Sequence, residues 1–74
     1  MATGNSGQML SNRIRRLRFD HSEMTQAQLA DRVGVTRQTI IALEANLYAP
    51  SLPLALRIAR VFEVTVEDVF QLSE

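Results

Sequence analysis

At 74 residues the chain has room for one domain, and a core this small usually gains stability from a cross-link, a metal or a second copy. It has no Cys and one His, which excludes disulfides and leaves too few ligands for a closed structural zinc site, while 46% apolar and 22% charged residues suffice to fill a core. Net charge is zero, which argues against a strong nonspecific binder of nucleic acid.

The charges are unevenly placed. Up to Glu44 six Arg stand against four acids, and beyond it two Arg stand against four acids, giving +2 and −2 for the two halves. All eight cations are Arg, whose planar fork suits phosphate and guanine, although a GC-rich genome gives the same bias. No run approaches the roughly 20 apolar residues of a membrane span. The first residues lack a basic-then-apolar leader pattern, so the expectation is a cytoplasmic protein with no membrane partner.

Residues 1–8, MATGNSGQ, are small, polar and aperiodic, and are expected to form a disordered tail ahead of a domain at 9–74. Ser11 or Asn12 can cap a first helix in which Leu10, Ile14 and Leu17 form the apolar stripe, with Arg13, Arg15 and Arg16 solvated. FDHSEM is the next loop. Its lone His21 has no second ligand at a useful spacing and is given no chemical role.

In QAQLADRVGVTRQTIIALEA, residues 26–45, the apolar periodicity becomes informative. Leu29, Ala30 and Val33 fall on one helix face, and Thr25 with Gln28 makes a capping box ahead of them. Gly34 stands where a left-handed residue ends a helix, Val35 turns inward, and Thr36 caps a second helix with Ile40 and Leu43 toward the core. So short a turn sets the two helices at a steep angle. It leaves Arg37, Gln38, Ile41 and Ala42 on the outer face of the second.

That face has the chemistry of a base-edge contact, since Arg pairs with guanine, Gln with adenine, and Ile or Ala with a thymine methyl. Arg and Gln are equally ordinary surface residues, and a helical hairpin with Gly in its turn occurs in many proteins that never meet DNA. The conjunction of Ala30, Gly34, Val35, Ile40 and Leu43 with the polar pair is what favours DNA. Ser51 caps a fourth helix that buries Ala55, Ile58, Ala59 and Phe62, and Thr65 caps a short fifth with Val66, Val69 and Phe70 apolar.

With NRIRRLR ahead of TQAQLADRVGVTRQTI and LEANLYAPSLPLALRIARVFEVTVEDVF behind it, the chain resembles the phage-repressor-like helix-turn-helix regulators, the Xre or Cro-repressor family, over residues 12–72. The resemblance implies an all-α, five-helix DNA-binding domain. It implies that Arg37 and Gln38 read bases beside Ile41 and Ala42. Thr25, Gln26, Thr36, Thr39 and Asn46 become the candidates for backbone contact, the first two because a helix start offers free N–H groups to phosphate. It pairs Arg18 with Glu44 as a structural salt bridge. Asn46 and Glu63 stand where the family commonly has Gly, and Leu47 where it often has Lys. If Glu63 is left-handed, the cost is about 1 kcal/mol.

The resulting expectation is a sequence-specific transcriptional regulator, a repressor on the simplest reading, bound to double-stranded DNA as a homodimer. No nucleophile, base and acid set and no phosphate-cradling Gly loop suggests an enzyme, and no catalytic residue, metal, cofactor or small-molecule ligand is expected. Leu47, Tyr48, Leu54, Leu56, Val61 and Leu72 exceed what a small monomer hides, and Leu47, Tyr48, Leu54, Val61, Val66 and Leu72 are the expected dimer contact. The alternatives are an antitoxin-like protein or a protein-interaction module with the same fold, favoured by zero net charge and by Leu47.

Overall fold

The computed structural model describes residues 9–73, and the tail expected at residues 1–8 lies outside them. In order the elements are β1 (Met9–Asn12), α1 (Ile14–Asp20), α2 (Gln26–Val33), α3 (Arg37–Glu44), α4 (Leu52–Phe62), α5 (Val66–Val69) and β2 (Phe70–Ser73). The five helices form one core, and the two strands pair antiparallel to join the ends of the domain.

Four helices start where a hydroxyl satisfies an N–H that the first turn cannot. Thr25 Oγ1 accepts from the Gln28 N–H at 3.0 Å and Gln28 Oε1 accepts from the Thr25 N–H at 2.9 Å, closing a capping box. Thr36 takes the Thr39 N–H at 3.2 Å and Ser51 the Leu54 N–H at 3.3 Å. Thr65 and Asp68 form a second box at 3.1 Å each way. The Thr65 backbone N–H, then its hydroxyl, hold the Asp68 carboxyl below its ordinary range.

The start of α1 corrects the sequence reading. No side chain caps it from the N-cap position, Arg13, and Met9–Asn12 is strand instead of helix approach. Leu10 lies opposite Leu72, and Asn12 opposite Phe70. Leu10 still packs on the core, but from the strand. A four-residue strand whose partner is the far end of the chain leaves no local periodicity to read, whereas Leu10, Ile14 and Leu17 do fit a helical stripe.

Left-handed residues close the helices as the turn chemistry requires. Gly34 has φ 77°, Asn46 φ 59° and Glu63 φ 58°. After α3, the Asn46 N–H reaches the Leu43 carbonyl and the Leu47 N–H the Ala42 carbonyl, each at 3.0 Å, a Schellman closure. The same closure follows α4 through Glu63 and Val64. His21 ends α1, its Nδ1 lying 2.8 Å from the Leu17 carbonyl and its ring edge-on to Phe62 at 5.0 Å between centroids.

Phe62, Ile14, Leu29, Ile40, Leu43, Ile58, Val33 and Val69 are fully buried, each contributing roughly 1.5–3 kcal/mol by leaving water. Among the described residues no polar or charged residue is buried in this class. Leu54, expected at a dimer contact, is only 7% exposed. It shares a face with Ile58 and Phe62 at steps of four and belongs to the monomer core.

Replacing Glu63 by Gly removes the left-handed penalty but adds freedom to the unfolded chain. The expected net effect is a stabilisation of about 0.5–1 kcal/mol, read as a higher midpoint in urea denaturation; an unchanged or lower midpoint would refute it.

Candidate nucleic-acid interface

Residues 34–36 alone separate α2 from α3. The N–H groups of Gly34 and Val35 both reach the Ala30 carbonyl, at 2.9 and 3.0 Å, so the turn is tight and its geometry fixed. Ile40 and Leu43 anchor the inner face of α3 in the core. On its other side Arg37 and Gln38 are exposed, and Ile41 and Ala42 are half-buried. Thus the apolar pair sits lower on the helix flank, and the two long polar side chains stand free at its start.

The far end of α3 is held by ions. Arg18 Nε lies 2.7 Å from Glu44 Oε2 and Nη2 3.1 Å from Oε1, a two-point fork, and its Nη1 donates to the Met24 carbonyl at 2.7 Å. Gln26 Nε2 donates to Glu44 Oε1 at 3.2 Å. The end of α1, the first residue of α2 and the last of α3 therefore meet at one carboxylate, and the loop before α2 is tied to the guanidinium that pairs with it. The side chains of Arg18 and Glu44 are 14% and 11% exposed, so most of the pair has left water.

The candidate backbone contacts are distributed around this junction. Thr25 is exposed, with its hydroxyl used as a cap; Gln26 is half-buried against Glu44. Thr36 is exposed, and its Oγ1 lies 3.1 Å from that of the half-buried Thr39. Asn46 is exposed, but its side-chain carbonyl accepts from Asn12 Nδ2 at 2.8 Å. Arg15, read from sequence as merely solvated, lines one hollow with Arg18, Thr25, Gln26, Arg37 and Glu44. Its three-residue step from Arg18 on one helix was the available signal. Because Arg18 and Glu44 neutralise each other, Arg15 and Arg37 are the cations of this hollow without an ion pair among the described residues, while Glu23 is its outlying acid.

Of the expected dimer contacts, Leu47, Tyr48 and Leu72 are exposed, Leu47 by 75% and Leu72 by 74%, and Val61 and Val66 are half-buried against the core. Leu56, counted from the sequence among the surplus apolar residues, is exposed on α4; sequence reasoning missed Leu52, one turn before it, and Phe19 on α1.

A family model described as Helix-turn-helix matches residues 14–69, from the first residue of α1 to the last of α5. The chain belongs to the Xre-type helix-turn-helix family. Uncharacterised helix-turn-helix-type transcriptional regulators resemble it closely. One from Methanocaldococcus jannaschii is 48% identical over 61 residues, 82% of this chain and 91% of its own. One from Bacillus subtilis is 46% identical over 67 residues, 88% and 97% of the respective chains. The crystal structure of a candidate DNA-binding protein from Bacteroides fragilis superposes with a TM-score of 0.72 at 25% identity, covering 85% of this chain and all of the other. The chain is thus a DNA-binding transcriptional regulator, and α2, the turn and α3 form its helix-turn-helix.

In this regulator Glu44→Ala strands a desolvated guanidinium and is expected to cost about 3 kcal/mol in urea denaturation. The double variant Arg18→Met with Glu44→Leu, which removes both charges, should recover most of that loss. A double-mutant cycle without coupling would show that the fork holds nothing.

Proposed function

We propose that the chain binds one operator sequence as a symmetric homodimer and represses transcription by occupying the promoter, in the cytoplasm and without catalysis or a cofactor. The observation that carries this reading is the asymmetry of α3. Its far end is held at Glu44 while Arg37 and Gln38, the residue types suited to guanine and adenine, stand exposed at its start. Entry of this end into the major groove brings the start of α2, with Thr25 and Gln26, toward the phosphates, and Arg15 to the same side. Thr36, Thr39 and Asn46 remain candidate contacts to the sugar–phosphate chain.

A single recognition helix reads too few base pairs to mark an operator in a genome, and two-fold symmetry doubles the site. The surface for the second copy is the apolar one left over after the core is filled. Leu47, Tyr48, Leu52, Leu56 and Leu72 supply it, with Val61 and Val66 at its margin and Leu54 excluded by burial. The competing reading is an antitoxin-like or protein-interaction module, favoured by zero net charge and by exposed Leu47 beside the recognition helix.

Selection of bound sequences from a random duplex pool, followed by titration at several salt concentrations, separates the two. Operator binding predicts a single consensus, preferred over bulk DNA by orders of magnitude. Arg37→Ala and Gln38→Ala should each relax the preference at one or two base pairs and cost about 1–3 kcal/mol. Uniform loss on all sequences would reassign them to phosphate.

The dimer predicts a sedimentation mass of twice 8.3 kDa at micromolar concentration, an inverted-repeat consensus, and recognition helices about 34 Å apart. A mass of 8.3 kDa together with a non-palindromic site would exclude it.

A further inference from the structure

We propose that Asn12 is a positioning residue for the recognition helix, and that through it the paired chain ends set the pose of α3; the proposal rests on the operator reading given above. Asn12 is the last residue of β1, distant in sequence from α3, yet its amide makes three contacts that converge there. Its Nδ2 donates to the Leu43 carbonyl at 2.9 Å and to Asn46 Oδ1 at 2.8 Å, and its Oδ1 accepts from the Ile14 N–H at 3.1 Å.

The Leu43 carbonyl is one of those that a helix cannot satisfy within itself at its C-terminal end. Here it receives the Asn46 N–H and the Asn12 amide together. Asn46, at φ 59°, is the left-handed residue on which the closure of α3 turns. One side chain therefore grips both the last turn of the recognition helix and the residue that terminates it, while its oxygen fixes the start of α1. Arg18, near the other end of α1, grips the adjacent residue of α3, Glu44. These two polar attachments, one just before α1 and one near its end, add to the packing of Ile40 and Leu43 in restraining the C-terminal end of α3. A pivot at this end displaces Arg37 and Gln38 at the other, 1.5 Å of lever for every residue of helix between.

Asn12 is itself kept in place by strand pairing. It lies opposite Phe70, and the next residue, Arg13, donates its N–H to the Val69 carbonyl at 2.8 Å. The ladder thus connects the C-terminal strand to the C-terminal end of α3, opposite the end that carries Arg37 and Gln38.

The test compares the full chain with Asn12→Ala, Asn46→Gly and Ile58→Val, the last a core variant that lowers stability without contact to Asn12. Binding to the selected operator and to a scrambled duplex is measured well below the unfolding midpoint of every variant, together with hydrogen exchange of the Ala45, Asn46 and Leu47 amides. Positioning predicts that Asn12→Ala lowers the operator-to-scrambled ratio about three- to tenfold and speeds exchange of those amides by a similar factor. Asn46→Gly, which keeps the left-handed turn but removes one acceptor, should give a smaller change in the same direction. Adding Arg37→Ala to Asn12→Ala should cost less than Arg37→Ala alone, because the misplaced Arg37 has less to lose. Ile58→Val should leave the ratio unchanged. An unchanged ratio and unchanged exchange in Asn12→Ala overturn the proposal. If the parent selects no sequence, the operator reading fails by itself, and hydrogen exchange still decides whether Asn12 holds α3.

Discussion

The Arg18–Glu44 fork is the constraint on which the arrangement of the first three helices depends. A guanidinium and a carboxylate largely removed from water hold each other only in a narrow range of geometry, since any displacement leaves desolvated charge without a partner. Arg18 also binds the Met24 carbonyl, and Gln26 binds the same carboxylate. The pair therefore ties down the loop before α2 and the start of α2 as well as the position of α1. Apolar packing of Leu29, Val33, Ile40 and Leu43 supplies the stability of this unit, the short turn sets its angle, and the ion pair ties α1 to it.

The same neutralisation shapes the field outside. With Arg18 and Glu44 cancelled and Arg16 paired to the exposed Asp20 at 3.2 Å, the cationic character of the hollow beside the fork falls on Arg15 and Arg37. A chain of zero net charge thus keeps two cations without an ion pair, among the described residues, on one hollow. So few free cations at one place give little sequence-independent attraction for a phosphate backbone.

What the sequence disclosed follows from the range of the interactions concerned. The box of Thr25 with Gln28 and the cap at Thr65 act within four residues and were legible, as was the left-handed turn at Gly34, while the return bond of Asp68 to Thr65 was not read. The Arg18–Glu44 pair spans 26 residues and was reached only through family resemblance. The ribbon had neither aid, because nothing near Leu10 announces Leu72. Leu54 is different: the step of four to Ile58 and then Phe62 was present, but α4 is apolar on more than one face, and the surplus hid which leucines were interior. Asn12 was taken as a local cap. Its Oδ1 does serve the Ile14 N–H, while the amide nitrogen crosses to α3.

The pairing of β1 with β2 also bears on the order in which the molecule assembles. Ser11 and Gln71, opposite each other in the ribbon, are 60 residues apart, so their meeting closes nearly the whole described chain into a loop. Loop-closure entropy rises only with the logarithm of length, yet four-residue strands return little for it until the intervening helices have already brought the ends together. The ribbon is therefore a late event on the folding route and an early one on the way out, a clasp that fastens after the helical body has formed.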